Sequence, residues 1–407
     1  MSYTITAVDL ENMIYGGAFF GSGGGGTVIS ALNLLSHFKN DQAAYYPSKT
    51  VEIVSVEEVD PALLTVMVAY MGAPEVINKS QYPVGPCQAI TKLQNNLTAN
   101  GQKLGYVISP ESGALGFLVA CLVAAKFNLK VIDGDGAGRA VPELPMLSYA
   151  AAEIDPRPTI LANQTQDGQC SLCVELNVDT YKYPSGHFQH QQDISTIIEQ
   201  LLRPITAESE FGNFGGLAMW VMERADLQKA IPESLRGTLS RARLFGEMLR
   251  SHQITEADQA INFLNNKFNL KAKIIAGPCY ISSVETNTSN GFDTGSIILQ
   301  SIDEPKTTYR VLYQNESLML WSNAEVEPLV IAPDSISYFI LDDNKQYVYS
   351  NGDIVASDNT IYPDVQNKKI FICAWTANPV LQQGLIMQSF YGTLQSLGYF
   401  GNYRPLN

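Results

Sequence analysis

The chain has 407 residues, a formal net charge of −14 and 45% hydrophobic residues, enough apolar material for the cores of two or three domains. Lysine and arginine form no basic stripe, so the composition argues against nucleic acid and anionic membranes as partners. The longest apolar run, LGFLVACLVAAK at 115–126, is too short to cross a bilayer and predicts a buried helix. Six scattered cysteines and an N-terminus without a basic, apolar leader predict a cytoplasmic protein.

A glycine-rich loop, FGSGGGGT at 20–27, lies between two predicted helices. Apolar spacing predicts the first over 9–19, and Thr27 is the expected cap of the second over 28–38. No strand precedes the glycines and no Gly-Lys-Ser/Thr follows them, which argues against a dinucleotide fingerprint and a P-loop. Free amides at a helix N-terminus favour binding of a carboxylate or oxyanion. The alternative is a packing loop that binds nothing.

The next segment alternates strands with helices, which is typical of a three-layer α/β fold with parallel strands. The predicted strands cover 50–55, 63–70, 104–109 and 130–132, with helices over 88–99 and 115–126. Three strand ends carry Met71-Gly72, Glu111-Ser112 and Asp133-Gly134-Asp135. These ends should meet at the carboxyl edge of the sheet, where open α/β sheets bind their ligands.

The densest group of ionisable residues is Asp133, Asp135, Arg139 and Glu143, in a loop rich in glycine and proline. Carboxylates close to one another and to a guanidinium have their pKa values pushed apart, which can provide an acid and a base at neutral pH. The alternative is that Arg139 neutralises the two aspartates in a structural ion pair.

The second half of the chain changes character after Lys271. Before it, two short strands within 158–178 flank a turn at Asp167-Gly168, and helices are predicted over 194–203, 214–228, 237–249 and 256–268. After it, short segments separated by turns predict a β-rich domain. The sequence thus predicts an α/β domain at 1–270 with a helical extension over 170–270, a β-rich domain at 271–375, and a C-terminal segment at 376–407 that packs back on the body.

Metal and nucleophile patterns are incomplete. The spacing of Cys170, Cys173, His187 and His190 approaches a zinc site, but an i, i+3 pair on a strand faces opposite sides and the histidine spacing is short. Asp-Gly-Asp-Gly lacks the remaining ligands of a calcium loop. Cys279 is either a thiolate or a buried apolar residue, and no serine-triad motif is present. A divalent metal stays open as a cofactor.

The ordered motifs FGSGGGGT, MGAP, PESG, DGDGAGRAVPELP, GTLSRARLFG, YQNESL and APDSI resemble the S-methyl-thiohydantoin desulfurase-like family over nearly the whole chain. The resemblance implies a three-layer α/β N-terminal domain and a smaller β-rich C-terminal domain of swivelling type. The implied reaction is hydrolytic removal of sulfur from a five-membered thiohydantoin ring, which yields a hydantoin and sulfide or a thiol. Family members usually carry an acidic residue and a proline soon after the glycines, where this chain has Thr27-Val28-Ile29.

Attack of water on such a ring needs a general base, donors for the developing anion and groups that hold the ring. Asp133 or Asp135 is the predicted base, and Glu111 and Glu143 are further candidates for proton transfer. Arg139 would orient a carboxylate or the bases, and Asn315 and Glu316 would close the cleft from the β-rich domain. The predicted substrate-binding residues are Ser22, Gly23, Gly24, Gly25, Gly26, Met71, Gly72, Ser112, Arg139, Asn315 and Glu316.

Two other functions fit the sequence. The chain could be a non-catalytic subunit that regulates a hydantoinase-type or oxoprolinase-type partner, since genes of the family often neighbour those enzymes and no triad is legible. It could also be a hydrolase that uses zinc or magnesium held by carboxylates. A homo-oligomer is a further option that the sequence leaves open.

Overall fold

The computed structural model describes residues 2–42, 44–72, 80–164, 170, 172–178, 191–289, 291–342 and 346–406. Its helices are α1 (Ala7–Phe20), α2 (Val28–Lys39), α3 (Val84–Ala99), α4 (Ala114–Phe127), α5 (Ser148–Ala151), α6 (Gln191–Ala207), α7 (Arg224–Ala230), α8 (Thr238–Arg250), α9 (Ala257–Phe268), α10 (Asn351–Ile354) and α11 (Gly384–Ser396). Its strands are β1 (Tyr3–Ile5), β2 (Val51–Val54), β3 (Leu64–Gly72), β4 (Leu104–Ser109), β5 (Lys130–Asp135), β6 (Thr159–Asn163), β7 (Cys173–Leu176), β8 (Phe214–Met222), β9 (Lys273–Ser289), β10 (Phe292–Ser301), β11 (Thr308–Gln314), β12 (Glu316–Ser322), β13 (Val330–Ile331), β14 (Ser335–Leu341) and β15 (Lys369–Trp375).

The first sheet, here the N-terminal sheet, has the order β1-β2-β5-β4-β3-β8-β6-β7. Its central strands β2, β5, β4 and β3 are parallel, as the alternation of strands and helices predicts. Side chains that alternate along β3 enter two different cores: Val66 and Val68 pack with α1, α2, α3, α4 and α8, whereas Met67 and Ala69 pack with α5, α6, α7 and α11. The three-layer α/β prediction is confirmed.

One predicted helix is wrong. The segment predicted as a helix over 214–228 is the strand β8 followed by the short helix α7. β8 lies between β3 and β6, antiparallel to both, and nearly all of it is buried. A strand that is covered on both faces shows a continuous apolar run, which cannot be told from a buried helix by periodicity alone. The two strands predicted within 158–178 are β6 and β7.

The second sheet, here the C-terminal sheet, is antiparallel throughout and has the order β13-β12-β11-β10-β9-β15-β14. It encloses a core of its own, which includes Ile297, Val311, Leu320, Ile340 and Ile372. The predicted β-rich second unit is therefore present. The division of the chain at 270 and 375 stays a prediction.

The helices α1 and α8 cross so closely that only glycine fits at the contact. A Cβ built on Gly16 would lie 1.9 Å from the carbonyl oxygen of Ala242, and one on Gly246 would lie 1.8 Å from that of Asn12. A Cβ on Gly17 would lie 2.6 Å from the oxygen of Gly113, just before α4. These contacts hold the end of α1, and hence the glycine loop that follows it, against the start of α4.

We expect Gly246→Ala to lower the free energy of unfolding by about 1–3 kcal/mol, because the added methyl group must push α1 and α8 apart. Chemical denaturation measures the loss. Gly392→Ala in α11 is the matched control, because a Cβ there meets nothing within 4 Å. That variant should be neutral or gain about 0.5–1 kcal/mol from the higher helix propensity of alanine. Equal effects of the two substitutions would contradict the packing argument.

Candidate functional site

A cavity of about 310 Å³ lies between the carboxyl ends of the parallel strands and the C-terminal sheet. The glycine loop forms one wall, and the end of β3 and the turns after β4 and β5 form a second. The β9–β10 hairpin, the β11–β12 turn and α10 complete it from the other sheet. The segment 133–145, here the acidic loop, contributes its residues from Val141 to Leu144 to the same cavity. The glycine loop and part of the acidic loop thus border one space.

The close approach of neighbouring groups explains the glycines of the loop. Gly23, Gly25 and Gly26 have φ values of 83°, 70° and 86°, a region that residues with a Cβ rarely adopt. A Cβ on Gly24 would lie 2.2 Å from Oε1 of Glu316, and one on Gly25 would lie 2.5 Å from Cα of Gly113. The loop is therefore held between the C-terminal sheet and the turn before α4.

The N-terminus of α2 is capped from within the protein. Thr27 accepts a hydrogen bond from the N–H of Ser30 at 3.0 Å, as the sequence predicts for a cap. The carboxylate of Asp353 accepts the N–H groups of Val28 at 3.1 Å and Ile29 at 3.4 Å. The positive end of the helix dipole thus already has an anion. The anion site predicted at the amides of Gly23 to Gly26 stays a prediction and excludes the first turn of α2.

Two glutamates whose charges interact, Glu111 and Glu316, line the cavity. Glu111 accepts the N–H of Val141 at 2.8 Å through Oε2. Glu316 is only 4% exposed, and its Oε2 has no hydrogen-bond partner in the part of the chain that the structure describes. Burial raises the pKa of Glu111 well above its usual value, and the charge of Glu316 raises it further. The pair is suited to keep one proton near neutral pH.

Burial also raises the pKa of Glu316, to about 7. The charges of Arg139 and Arg203 and the N–H of Gly25 act in the opposite direction and favour its ionised form. Two carboxyl groups with different proton affinities in one cavity can act as acid and base.

Asp133 and Asp135, the predicted bases, do not line the cavity. Asp133 lies within β5, where its Oδ1 accepts the N–H of Ser240 at 3.1 Å and its Oδ2 accepts the hydroxyl of the same serine. Asp135 accepts the N–H groups of Ala137 at 2.8 Å and Gly138 at 2.6 Å, and the hydroxyl of Ser112 at 2.7 Å.

The placement of these aspartates follows from the length of β5. The strand runs to Asp135, three residues beyond its predicted end, so the aspartates share the parity of Val131, which packs in the core that contains α1, α4 and α8. Burial raises the pKa of both carboxyl groups, while their hydrogen bonds lower it. The bonds of Asp133 join β5 to α8, and those of Asp135 shape the acidic loop.

Arg139 neither pairs with the two aspartates nor lines the cavity. It is fully buried and donates to the carbonyl oxygens of Ser317 at 2.9 Å, Pro333 at 2.8 Å and Asp334 at 2.7 Å. Burial lowers the pKa of Arg139 to about 10, against the nearby charges of Glu316 and Asp334. Its contacts fasten the acidic loop to the C-terminal sheet.

Some of the other predicted site residues line the cavity wall, and others lie behind the wall and bond to the residues that form it. Among those on the cavity wall, Met71, Gly72, Glu143 and Asn315 accompany the four loop glycines, Glu111 and Glu316. Ser22 lies behind the wall, where its hydroxyl accepts the N–H of Ile336 at 2.8 Å, and Ser112 supports Asp135. Their predicted substrate contacts are therefore corrected to structural ones.

Glu143 and Asn315 also bond to the protein. The hydroxyl of Thr393 donates to Glu143 at 3.3 Å, and burial raises the pKa of this carboxyl group. Asn315 has a φ of 56° and exchanges two hydrogen bonds with Asp293, at 2.7 and 2.8 Å, which join the β11–β12 turn to the β9–β10 hairpin. Asn315 therefore shapes the cavity wall, and its closure of the cleft stays a prediction.

Sequence reasoning missed the residues of α10 and α6 that complete the site. Asn351 donates its N–H to the oxygen of Gly23 at 2.7 Å and its Nδ2 to the oxygen of Asn315 at 2.9 Å. Ser350 and Asp353 form a capping box that is legible in the sequence as S-x-x-D, but its contact with α2 depends on the fold. Arg203 of α6 borders the cavity and carries no sequence motif.

Comparison with known proteins gives two family matches that together span most of the chain. The model described as "S-Me-THD-like, N-terminal domain" matches residues 8–170, and the "S-Me-THD-like, C-terminal domain" matches residues 192–383. The chain belongs to the S-Me-THD-like family. The resemblance inferred from the motifs is thus confirmed, and the second family domain contributes β8 to the N-terminal sheet.

A solved structure shows the same S-Me-THD-like architecture over the full length. The crystal structure of a protein from Chromobacterium violaceum is 44% identical, covers 100% of both chains and has a TM-score of 0.88. No curated protein matches. The two proteins are therefore similar in fold along their whole length.

The described residues contain neither a cluster of metal ligands nor a membrane-spanning helix. No group of three or more His, Cys, Asp and Glu side chains there is arranged to hold a metal ion, and His187 and His190 lie outside those residues. Cys279 is fully buried and burial raises the pKa of its thiol to about 11, which favours the alternative of a buried apolar residue over that of a thiolate. Among the same residues, no helix combines the length and the hydropathy of a membrane span.

We expect Asp133→Asn to lower the free energy of unfolding by about 1–3 kcal/mol, because the amide cannot accept from both the N–H and the hydroxyl of Ser240. Ring binding and turnover should not change, since the side chain lies outside the cavity. Denaturation and steady-state kinetics measure the two effects. Ser240→Ala should cost a similar amount, and the double variant should lose less than the sum. Loss of turnover at unchanged stability would show that Asp133 acts in the reaction.

Proposed function

We propose that this member of the S-Me-THD-like family hydrolyses a five-membered cyclic thioamide or S-alkylated thiohydantoin, and releases sulfide or a thiol to leave a hydantoin. The observation that carries the proposal is the pair of buried carboxyl groups, Glu111 and Glu316, in a cavity of about 310 Å³. Apolar side chains such as Met67, Leu115 and Leu217 line the same cavity and suit the face of a small ring.

Glu316 is the general base in this proposal. Its Oε2 has no partner among the described residues, and nearby positive charge favours its ionised form. It takes a proton from water as the oxygen attacks the ring carbon that carries sulfur. In the S-alkylated ring, Glu111, whose raised pKa keeps it protonated, donates to the doubly bonded ring nitrogen beside that carbon. The loop amides from Gly23 to Gly26 stabilise the charge that develops on the substrate.

Collapse of the tetrahedral intermediate completes the reaction. The carbon–sulfur bond breaks, and the departing sulfur takes the proton that Glu316 accepted. The new hydroxyl group gives its proton to Glu111 as the carbonyl forms, which returns both carboxyl groups to their starting states. One water is consumed, and a hydantoin and a thiol are produced.

We expect Glu316→Gln and Glu111→Gln each to lower turnover by about 10²–10⁴-fold, because each removes one proton-transfer group. The substrate is an S-methylated thiohydantoin, and ring absorbance and thiol release measure the reaction of the purified chain without any partner. Glu175→Gln is the matched control. The carboxylate of Glu175 forms an ion pair with Lys92, with 3.3 Å between Oε2 and Nζ, and neither residue lines the cavity. Full turnover in both cavity variants would refute the assignment, and turnover only with a partner present would favour the subunit role.

The pH dependence of turnover should follow the two glutamates. Since Glu316 must be ionised, kcat/KM should rise as the pH passes through about 7, the pKa to which burial raises this group. It should fall at higher pH, where Glu111 loses its proton. Glu316→Gln should remove the acidic limb of the residual activity. An acidic limb near the usual glutamate value of about 4.3 would contradict the role of a buried base.

A further inference from the structure

Arg203 of α6 binds two separate parts of the cavity wall. Its Nη1 donates to the oxygen of Gly291 at 2.9 Å and its Nη2 to the oxygen of Pro142 at 3.0 Å. Its Nε donates to Glu199, one turn earlier in the same helix. The guanidinium also lies over the ring of Phe292, 4.1 Å from the ring centre. The side chains of Arg203 and Glu199 are only 12% and 5% exposed.

The first partner, Gly291, lies at the tip of the β9–β10 hairpin. Thr286, Thr288 and Asp293 of this hairpin line the cavity. A Cβ on Gly291 would lie 3.2 Å from Cδ of Arg203, so the aliphatic part of the arginine side chain packs directly against the hairpin tip. This end of the hairpin therefore depends on Arg203 for its position over the cavity.

The second partner lies beside the proposed acid. Pro142 follows Val141, whose N–H donates to Glu111. Glu199 completes the same support, because its Oε2 accepts the N–H of Leu144 at 3.1 Å. The ion pair of Glu199 and Arg203 thus holds both ends of the segment from Pro142 to Leu144.

We propose that Arg203 is a positioning residue of this site, which holds the β9–β10 hairpin and the segment after Val141 over the cavity that Glu316 also lines. Its guanidinium also places a positive charge on the wall of that cavity. The role in catalysis rests on the proposed function; the positioning and the charge effect do not. A guanidinium can bind three acceptors in fixed directions, whereas the single ammonium of lysine keeps the charge but not this geometry.

The charges around the two groups are defined. Glu316 interacts with Arg139 and Arg203 and with the carboxyl group of Glu111. Arg203 interacts with Glu199 on its own helix, with Glu143 and with Glu316. Arg139 keeps its charge in every variant below. A change in the ionisation of Glu316 is thus attributable to Arg203.

A thermodynamic cycle without substrate tests the charge effect. We would measure the free energy of unfolding between pH 4 and 9 in a Glu111→Gln background, where Glu316 is the one member of the glutamate pair that titrates. Three pairs of proteins are compared, each with and without Glu316→Gln: those that retain Arg203, those with Arg203→Lys and those with Arg203→Met. A carboxyl group with a raised pKa in the folded state loses stability as the pH rises from its unfolded pKa to its folded pKa. Within each pair, the difference in the free energy of unfolding is plotted against pH. The pH at which this difference curve levels off at its high-pH side, here the upper end, reports the folded pKa of Glu316.

We expect the upper end to stay in place in Arg203→Lys and to move upward by about one pH unit or more in Arg203→Met. Hydrogen exchange of a peptide covering 286–293 should speed up in both variants. Neither lysine nor methionine can donate to Gly291 and Pro142 at the same time in the geometry of the guanidinium. Arg157→Met is the matched control: this arginine binds Asp155 at 2.6 Å and the oxygen of Val178 at 3.1 Å, outside the cavity. It should change neither readout.

Kinetics extends the test if the proposed reaction is found. Both Arg203 variants should raise KM, and only Arg203→Met should move the acidic limb of kcat/KM to higher pH. Arg203→Gln replaces Arg203→Met if the latter does not fold. Unchanged hairpin exchange, or an upper end that moves equally with lysine and methionine, would overturn the proposal. Lack of turnover in the natural chain would refute the proposed reaction alone, since the unfolding and exchange readouts need no substrate.

Discussion

The contact between the glycine loop and Glu316 is the constraint on which the site depends. Oε1 of Glu316 occupies the space where any residue other than glycine would place its Cβ at position 24. On its other side the loop lies against Ser112 and Gly113, which precede α4. The contact joins the two sheets and buries a carboxyl group that has one oxygen without a partner in the described structure. Its raised pKa follows from this burial.

Burial raises the pKa of the other buried carboxyl groups as well, but their hydrogen-bond partners differ from those of Glu316. Asp135 and Asp353 are as deeply buried as Glu316, but several N–H and hydroxyl groups donate to each of them. A carboxylate with several donors is a structural element, since each bond favours its ionised form and fixes its position. A buried carboxylate that lacks them retains a high proton affinity and is available for chemistry.

Two arginines keep this arrangement in place, Arg139 fully buried and Arg203 partly buried, and both bind carbonyl oxygens rather than only carboxylates. Arg139 ties the acidic loop to the C-terminal sheet, and Arg203 ties α6 to the β9–β10 hairpin and to Pro142. The carbonyl oxygens that Arg139 binds are neutral and do not cancel its positive charge, whereas Arg203 also pairs with the carboxylate of Glu199. The charge of each arginine acts on Glu316, where it partly offsets the effect of burial. Wall geometry and proton affinity thus depend on the same side chains.

The sequence by itself determined the helix, glycine loop and helix at 7–39, the parallel strands β3, β4 and β5, and the convergence of their carboxyl ends, because these features follow from local periodicity, capping and the rules of α/β connection. It also pointed to Glu111, Glu316 and the loop glycines. Only the tertiary structure decided that β8 is a strand, that Asp133 and Asp135 face away from the cavity, and that Arg203 and Asp353 belong to its surroundings. The physical reason is that burial on both faces, side-chain direction beyond the predicted end of a strand and hydrogen-bond partners 61, 88 or 325 residues away depend on long-range neighbours. No local pattern encodes those neighbours.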